Sequence, residues 1–181
     1  MTITDTLDTK FHGLLHDQVR SELSASQQYL AIGVYFDGAD LPQLARLFYR
    51  QSVEERNHAL MLVQYFIDRG VPVEIPAIDP VRNHFESPRD AIGLALDLER
   101  SVTEQFSRLA GTARDEGDYL GEQFVQWFLK EQVEEVALMT TLVRIADRAG
   151  ADLFHLEDFV AREIPSASSD STAPKTAGGA L

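Results

Sequence analysis

Four acidic residues lie within four apolar helical patterns, and their carboxylates are candidates for binding a cation. Each lies seven residues after one apolar residue and seven before another, as in Leu15–Glu22–Tyr29, Phe48–Glu55–Leu62, Ile92–Glu99–Phe106 and Phe128–Glu135–Leu142. Because seven residues span nearly two helical turns, the members of each triplet share one helix face. An unpaired charge on a core-facing stripe costs several kcal/mol, so these carboxylates must be paired, protonated or bound to a cation. The pattern predicts four helices that converge on a metal site.

A Glu-x-x-His motif is the most specific part of this pattern. Glu55 and His58 are three residues apart on one helical pattern, so their side chains lie next to each other. Such a pair alone is usually exposed or caps a helix, but His58 lies on the same apolar face as Glu55. Tyr29, seven residues after Glu22, either brings its hydroxyl to the site or is an ordinary core aromatic residue.

The fourth helical pattern carries the acidic run Glu131-Gln132-Val133-Glu134-Glu135. Phenylalanines precede this run and apolar residues follow it on the same face, which predicts that Gln132 and Glu135 point inward. Glu134 alone has the pattern of a solvated residue. The fourth helix thus offers Gln-x-x-Glu instead of a second Glu-x-x-His, and the predicted site is asymmetric.

Two metal positions follow from these ligands. The first has two carboxylates and an imidazole, from Glu22, Glu55 and His58, whereas the second has carboxylates alone, from Glu55, Glu99 and Glu135. Oxygen-rich positions with one imidazole suit iron(II), and they also accept manganese or zinc. Two irons bridged by Glu55 can each pass one electron to dioxygen. An all-oxygen second position holds its iron loosely, which favours a site through which iron passes over a fixed cofactor.

The composition of the chain limits its possible binding partners and its expected location in the cell. The chain of 181 residues has 29 acidic and 16 basic residues, a formal charge of −13, which argues against nucleic acid and favours cations. It has no cysteine, so oxygen and imidazole must hold any metal. No stretch approaches the roughly 20 apolar residues of a membrane span, and residues 1–10 lack a signal-peptide pattern. We therefore expect a soluble cytoplasmic protein without a membrane partner.

Apolar spacing predicts four long helices and one short one. The long helices cover residues 11–36, 44–67, 88–114 and 119–148, and the short one covers 153–161. Asp40 is the predicted cap of the second helix, and Ser87 caps the third ahead of Pro88. Residues 71–86 contain three prolines and no helical period. They predict an extended connection between opposite ends of a bundle, which makes the second and third helices parallel.

These elements predict an all-α fold of the ferritin-like type. It is a four-helix bundle with a long connection between the second and third helices and a short fifth helix at the C-terminal end. The bundle domain covers residues 9–163. Residues 1–8 are polar and predicted to be flexible, and residues 164–181 lack any period and are predicted to form a disordered tail.

Over roughly residues 10–163, the chain resembles non-haem bacterial ferritins of the actinobacterial type. The residues that carry the resemblance are Glu22, Tyr29, the segment Glu54-Glu55-Arg56-Asn57-His58-Ala59, Glu99, Trp127 and the motif Glu131-Gln132-x-Glu134-Glu135. The resemblance implies iron at both positions described above and a hydrogen bond from Gln132 near the oxygen-binding position. It also implies a third iron position formed by Glu54, Glu131, Glu134 and Glu135.

The resemblance further implies a hollow shell of twenty-four subunits, with the fifth helix around the fourfold axes. In it, Fe(II) is oxidised by dioxygen or peroxide and stored as a ferric mineral. Asp118 and Glu122 are candidates for an iron access channel near a threefold axis, although exposed acids at a helix start explain them equally well. Haem-containing bacterioferritins have a methionine directly after the bridging glutamate, where this chain has Arg56. We therefore expect no haem.

Other interpretations are open. A rubrerythrin-type peroxidase or another di-iron oxidase would use a retained cofactor, but the chain has no cysteine for an attached rubredoxin-like centre. A purely structural bundle, or a storage subunit without an oxidation site, would leave the inward carboxylates unexplained. A DNA-protecting mini-ferritin usually has a helix in the connection that corresponds to residues 71–86. The final Ala-Gly-Gly-Ala-Leu is also a candidate for docking into an encapsulating protein shell.

Overall fold

The computed structural model of the protein describes residues 9–164 and 170–181. In these residues it has five α-helices and no strand. The helices are α1 (Lys10–Gly38), α2 (Pro42–Asp68), α3 (Pro88–Asp115), α4 (Tyr119–Ala149) and α5 (Leu153–Glu163). This agrees with the all-α architecture and the short fifth helix that the sequence predicts. No described helix is long and apolar enough to cross a membrane.

Contacts along α1 fix the directions of the other helices. The end of α2 lies near the start of α1, because the Phe66 ring packs against the ring of His16. The connection after α2 then follows α1 toward its end, through contacts of Glu74 with His16, Arg82 with Gln28 and Phe85 with Tyr35. Helix α3 runs back, and Glu116 just after it accepts a hydrogen bond from the backbone N–H of Lys10. Helices α2 and α3 are therefore parallel, as the long connection predicts.

Two apolar clusters fill the bundle on either side of the acidic residues. One cluster includes Tyr29, Phe48, Ile92 and Leu142, and the other includes Leu15, Leu62, Phe106 and Phe128. These are the apolar residues found seven positions before and after the four glutamates, and each is at most 1% exposed. The seven-residue spacing on each helix thus places a layer of carboxylates between two hydrophobic cores.

The start of α2 differs from the sequence prediction. Asp40 does not cap this helix: the N-cap residue is Leu41, which makes no side-chain capping hydrogen bond, and Asp40 has a φ of 57°. Glu157 of α5 accepts hydrogen bonds from the backbone N–H groups of Gln43 and Leu44 instead, both at 2.8 Å. Its carboxylate also lies at the positive end of the α2 dipole. Helix α5 is thereby fixed to the bundle by a cap that the local sequence does not contain.

The starts of α3 and α4 have the caps that their sequences favour. Ser87 Oγ accepts a hydrogen bond from the third residue of α3, as predicted, and Asp118 caps α4 in the same way. Asp118 also forms an ion pair with Arg69 at 3.3 Å, and Glu122 accepts a hydrogen bond from Arg114 at 2.9 Å. Both acids therefore have partners within the chain, and their role in an access channel stays a prediction.

Residues 170–181, which belong to the predicted disordered tail, lie along α2 and α4. Three hydrogen bonds of 3.1 Å hold them there, from Trp127 Nε1 to Asp170 Oδ2, from Ala177 N to Leu60 O and from Leu181 N to Asn57 Oδ1. Residues 1–8, which are predicted to be flexible, and residues 165–169 lie outside the described residues. The domain bounds themselves stay predictions.

Glu157→Ala should loosen α5 and destabilise the protein. The change removes the acceptor for two N–H groups at the start of α2, and loss of such a cap typically costs about 0.5–2 kcal/mol. We expect a lower melting temperature and faster amide hydrogen exchange in α5 and in the first turn of α2. Asp158→Ala is the matched control, because Asp158 is exposed and pairs with Arg162 of the same helix. Equal exchange in the two variants would contradict the assigned cap.

Candidate metal centre

Helices α1 to α4 each bring one glutamate to the layer between the two cores. The exposed fractions are 0% for Glu22, 2% for Glu55, 2% for Glu99 and 7% for Glu135, and the imidazole of His58 lies among them at 3%. These carboxylates are therefore separated from bulk water. Their burial agrees with the inward orientation that the heptad spacing predicts, whereas their role as metal ligands stays a prediction.

Glu22, Glu55 and His58 form the compact part of the site. Each offers a ligand atom, and these atoms lie within 4.8 Å of one another. His58 Nδ1 is 3.1 Å from Glu55 Oε2 and 3.9 Å from Glu22 Oε2. The Trp127 ring and the imidazole of His58 form a T-shaped contact, with centroids 5.7 Å apart. Two carboxylates and one imidazole at this separation can bind a single divalent cation.

The opposite side of the site is held by hydrogen bonds to Glu99. The Tyr29 hydroxyl donates to Glu99 Oε1, and Gln132 Nε2 donates to Glu99 Oε2 at 2.9 Å. Gln132 Nε2 also contacts the Glu99 carbonyl oxygen at 3.1 Å. Tyr29 and Gln132 thus reach the carboxylate layer, and both act there through Glu99. Tyr29 is also a fully buried core aromatic residue, and its role at a metal site stays a prediction.

The electrostatics of the site favour protons or cations. Burial raises the pKa of Glu22 well above its usual range, and the neighbouring Glu55 adds to this effect. Burial likewise raises the pKa of Glu55, with a further contribution from Glu99, and it raises the pKa of Glu99. Burial and the charge of Glu54 raise the pKa of Glu135 to about 9. A bound divalent cation would stabilise the ionised form of all four carboxylates.

Three carboxylate oxygens in the layer receive no hydrogen bond from any described residue. They are Glu22 Oε2, Glu55 Oε1 and Glu135 Oε2, and all three are buried. Buried polar atoms normally have partners, so unsatisfied carboxylate oxygens on three converging helices need an explanation. Metal coordination supplies one, because each of these residues would offer one free oxygen to a cation. The donor set present therefore fits iron(II).

A family model described as the ferritin-like domain matches residues 13–149, which is more than half of the chain. The chain belongs to the ferritin family. It is 73% identical to "Ferritin BfrB" of Mycolicibacterium smegmatis and 63% identical to "Bacterioferritin BfrB" of Mycobacterium tuberculosis, each over 181 residues and the whole of both chains. These similarities confirm the predicted resemblance to actinobacterial ferritins.

More distant ferritins share the fold. The chain is 35% identical over 138 residues to "Bacterial non-heme ferritin" of Staphylococcus aureus, which covers 76% of this chain and 83% of that one. A solved structure described as an open pore ferritin from Archaeoglobus fulgidus superposes with a TM-score of 0.82 at 27% identity, covering 86% of this chain and 97% of that one. The ferritin-like bundle predicted from the sequence is thus confirmed.

The four glutamates of the predicted third iron position differ in their exposure to solvent in this ferritin. Glu135 is buried, Glu54 and Glu131 are partly buried, and Glu134 is exposed. Burial and the nearby charge of Glu134 raise the pKa of Glu131. Glu54 and Glu131 line a cleft of about 450 Å³, together with His58 and parts of the C-terminal segment. The four residues of the predicted third position therefore extend from the buried layer to solvent, and their use by iron stays a prediction.

Two glutamines that sequence reasoning left without a role contact the carboxylates. Gln51 Nε2 donates to Glu54 Oε2 at 2.9 Å and lies 3.5 Å from Glu135 Oε1. Gln18 Nε2 donates to Glu22 Oε1 at 2.7 Å. Each glutamine lies four residues before one of the glutamates of the first position. For Gln18 this Gln-x-x-x-Glu spacing was a signal in the sequence, whereas the partners of Gln51 are Glu54 and Glu135, which that spacing does not indicate.

Without bound metal, the free energy of unfolding should fall as the pH rises. Glu135 has a pKa of about 9 in the folded protein, above the ordinary value of 4.5 that applies when the chain unfolds. Between these values the folded state binds the extra proton, so its stabilisation is complete below about pH 4.5 and lost by about pH 9. We expect the melting temperature to decline across this range, and less steeply for Glu135→Gln.

Glu104→Gln, at an exposed site, is the control and should retain the full decline. Divalent metal should reverse the trend, because it binds the ionised carboxylates and its affinity therefore rises with pH. Melting curves with and without Zn²⁺ at several pH values measure both effects. Identical slopes for Glu135→Gln and Glu104→Gln would contradict the raised pKa of Glu135.

Proposed function

We propose that the protein is a ferroxidase whose substrate is iron(II). The observation that carries the proposal is the buried layer of four carboxylates and one histidine with three unpaired carboxylate oxygens. Membership in the ferritin family assigns iron storage to the chain. Oxidation at this layer would convert soluble iron(II) into the ferric ion that a mineral requires.

The asymmetry of the layer suggests how the two iron positions differ. Glu22, Glu55 and His58 form a first position whose ligand atoms are already close together. Glu55, Glu99 and Glu135 would form a second position with oxygen ligands alone. Two iron(II) ions release two electrons, which is the number needed to reduce dioxygen to the level of hydrogen peroxide. Loose oxygen coordination at the second position would then let the ferric product leave toward Glu131 and Glu134.

Exposed apolar residues support assembly into a closed shell, for which we propose twenty-four copies. Val34 on α1, Ile75 in the connection and Phe154 on α5 are 57%, 65% and 87% exposed in the isolated chain. Large apolar side chains at three separate places favour contacts with other copies. The proposed location of this assembly is the cytoplasm, and the proposed iron centre contains no haem, since exposed Arg56 follows Glu55.

Several observations favour this function over the alternatives. Glu22, Glu55 and His58 lie together within a single subunit, and residues 71–85 contain no helix, which argues against a mini-ferritin with a site between subunits. The absence of cysteine from the sequence argues against an attached rubredoxin-like centre. A purely structural bundle would leave four buried carboxylates with one imidazole between them. A di-iron oxidase that retains its two metals is the remaining alternative, and iron stoichiometry distinguishes it.

Glu55→Ala/His58→Ala should abolish the fast phase of iron oxidation. The experiment loads the purified protein with iron(II) under anaerobic conditions, adds oxygen, and records absorbance in a stopped-flow instrument. We expect the unaltered protein to oxidise and retain many irons per subunit. The control, Glu104→Ala/His84→Ala, removes an exposed pair of the same residue types and should leave the rate unchanged. Retention of two tightly held irons and no more would instead indicate a fixed cofactor.

Phe154→Ser should reduce the native mass of the assembly. The phenylalanine is 87% exposed in the single chain, and we expect a neighbouring copy to cover it. Light scattering after size-exclusion chromatography should give about twenty-four times the 20.2 kDa subunit mass for the unaltered protein and smaller species for the variant. Phe154→Leu preserves an apolar contact and should assemble. An unchanged mass for Phe154→Ser would contradict a contact through α5.

A further inference from the structure

Gln18 is buried beside the first iron position, where an uncharged polar side chain needs a specific partner. It lies on α1 and is 2% exposed. A buried amide without hydrogen bonds costs free energy, so such groups are retained where they bind something. Its Nε2 donates to Glu22 Oε1 at 2.7 Å, which is a short hydrogen bond to a carboxylate. The amide therefore acts directly on a candidate iron ligand.

This hydrogen bond makes the two oxygens of Glu22 unequal. Oε1 accepts from Gln18, whereas Oε2 is buried, has no hydrogen-bond donor among the described residues, and faces His58 Nδ1 at 3.9 Å. A metal ion between Glu22 and His58 would therefore find Oε2 free and Oε1 already held by the amide. A carboxylate that was free to rotate could instead bind the ion through both oxygens.

We infer that Gln18 is a positioning residue that makes Glu22 a one-oxygen ligand of the first iron. This role rests on the proposed ferroxidase function. One-oxygen binding leaves a coordination position of that iron open, which is the condition for the oxidant to reach the metal. Gln18 also holds the carboxylate without neutralising it, because an amide donates a hydrogen bond but carries no charge. Loss of a hydrogen-bond partner of this kind typically lowers metal affinity or activity 10–100-fold.

The surroundings of Gln18 do not require a glutamine merely to fill space. The residue lines a surface groove of about 160 Å³ between α1 and α3, which Leu14, Gln105 and Leu109 also line. An apolar side chain of the same length would fill the same space but would leave Glu22 Oε1 without its hydrogen-bond donor. The amide matters in this arrangement through its N–H group alone.

Gln18→Met tests the inference, because methionine matches glutamine in length and cannot donate this hydrogen bond. Anaerobic titration with Co²⁺, which stands in for iron(II) without being oxidised, reports affinity and coordination number from its visible absorption bands. We expect Gln18→Met to weaken the first Co²⁺ about 10-fold or more and to change the intensity of those bands. The second Co²⁺ should bind as in the unaltered protein. Gln18→Asn, whose amide is too short to reach, should give the same result if Gln18→Met does not assemble.

Gln105→Met is the matched control, since Gln105 lines the same groove but hydrogen-bonds to Ser101. It should bind both Co²⁺ ions with unchanged affinity and spectrum. Unchanged affinity and spectrum in Gln18→Met would overturn the positioning role while the ferroxidase proposal stands. Failure of the unaltered protein to bind two Co²⁺ per subunit would overturn both. A merely structural role predicts lower stability for Gln18→Met with an unchanged cobalt spectrum, and that result would also overturn the inference.

Discussion

The burial of four carboxylates at one level of a helical bundle is the constraint on which the rest of the structure depends. Removal of a carboxylate from water carries a large desolvation cost, and here four such groups share one imidazole. The two apolar clusters above and below the layer supply the opposing free energy. The helices are long because each must contribute to both clusters and cross the layer between them. The bundle is thus arranged so that hydrophobic packing holds an otherwise unfavourable set of charges together.

The partners of these carboxylates are mostly neutral. Gln18, Gln132 and the Tyr29 hydroxyl donate hydrogen bonds to Glu22 and Glu99. An arginine or lysine in their place would form a buried ion pair, which would satisfy the carboxylates and compete with any metal ion. Neutral donors orient a carboxylate and leave its negative charge available. Neutral partners distinguish this layer from a structural ion-pair network, and they leave the pKa values of the buried carboxylates raised in the folded chain.

The sequence predicts the fold and the members of the layer because both depend on spacing within a helix. Glu22, Glu55, Glu99 and Glu135 are buried as the seven-residue pattern predicts, and the apolar neighbours of each lie in opposite clusters. The cap of α2 could not be predicted in this way. Glu157 accepts a hydrogen bond from the backbone N–H of Leu44, which lies 113 residues away in the sequence. The contacts of residues 170–181 are similarly non-local. Local spacing therefore predicts which face a residue occupies, and tertiary structure decides which partner it meets there.

The burial of the carboxylates decreases in steps from Glu22 toward the surface. Glu22 is fully buried, Glu135 is 7% exposed, Glu131 is partly buried and Glu134 is exposed. Carboxylates near water bind a cation more weakly than those in the interior, because solvent screens the attraction and competes for coordination. Ferric ion needs water to hydrolyse and form a mineral, whereas controlled oxidation needs water to be excluded. In the proposed ferroxidase, carboxylates of graded exposure would meet both requirements, because an ion could move from the dry layer to solvent with oxygen ligands within reach throughout.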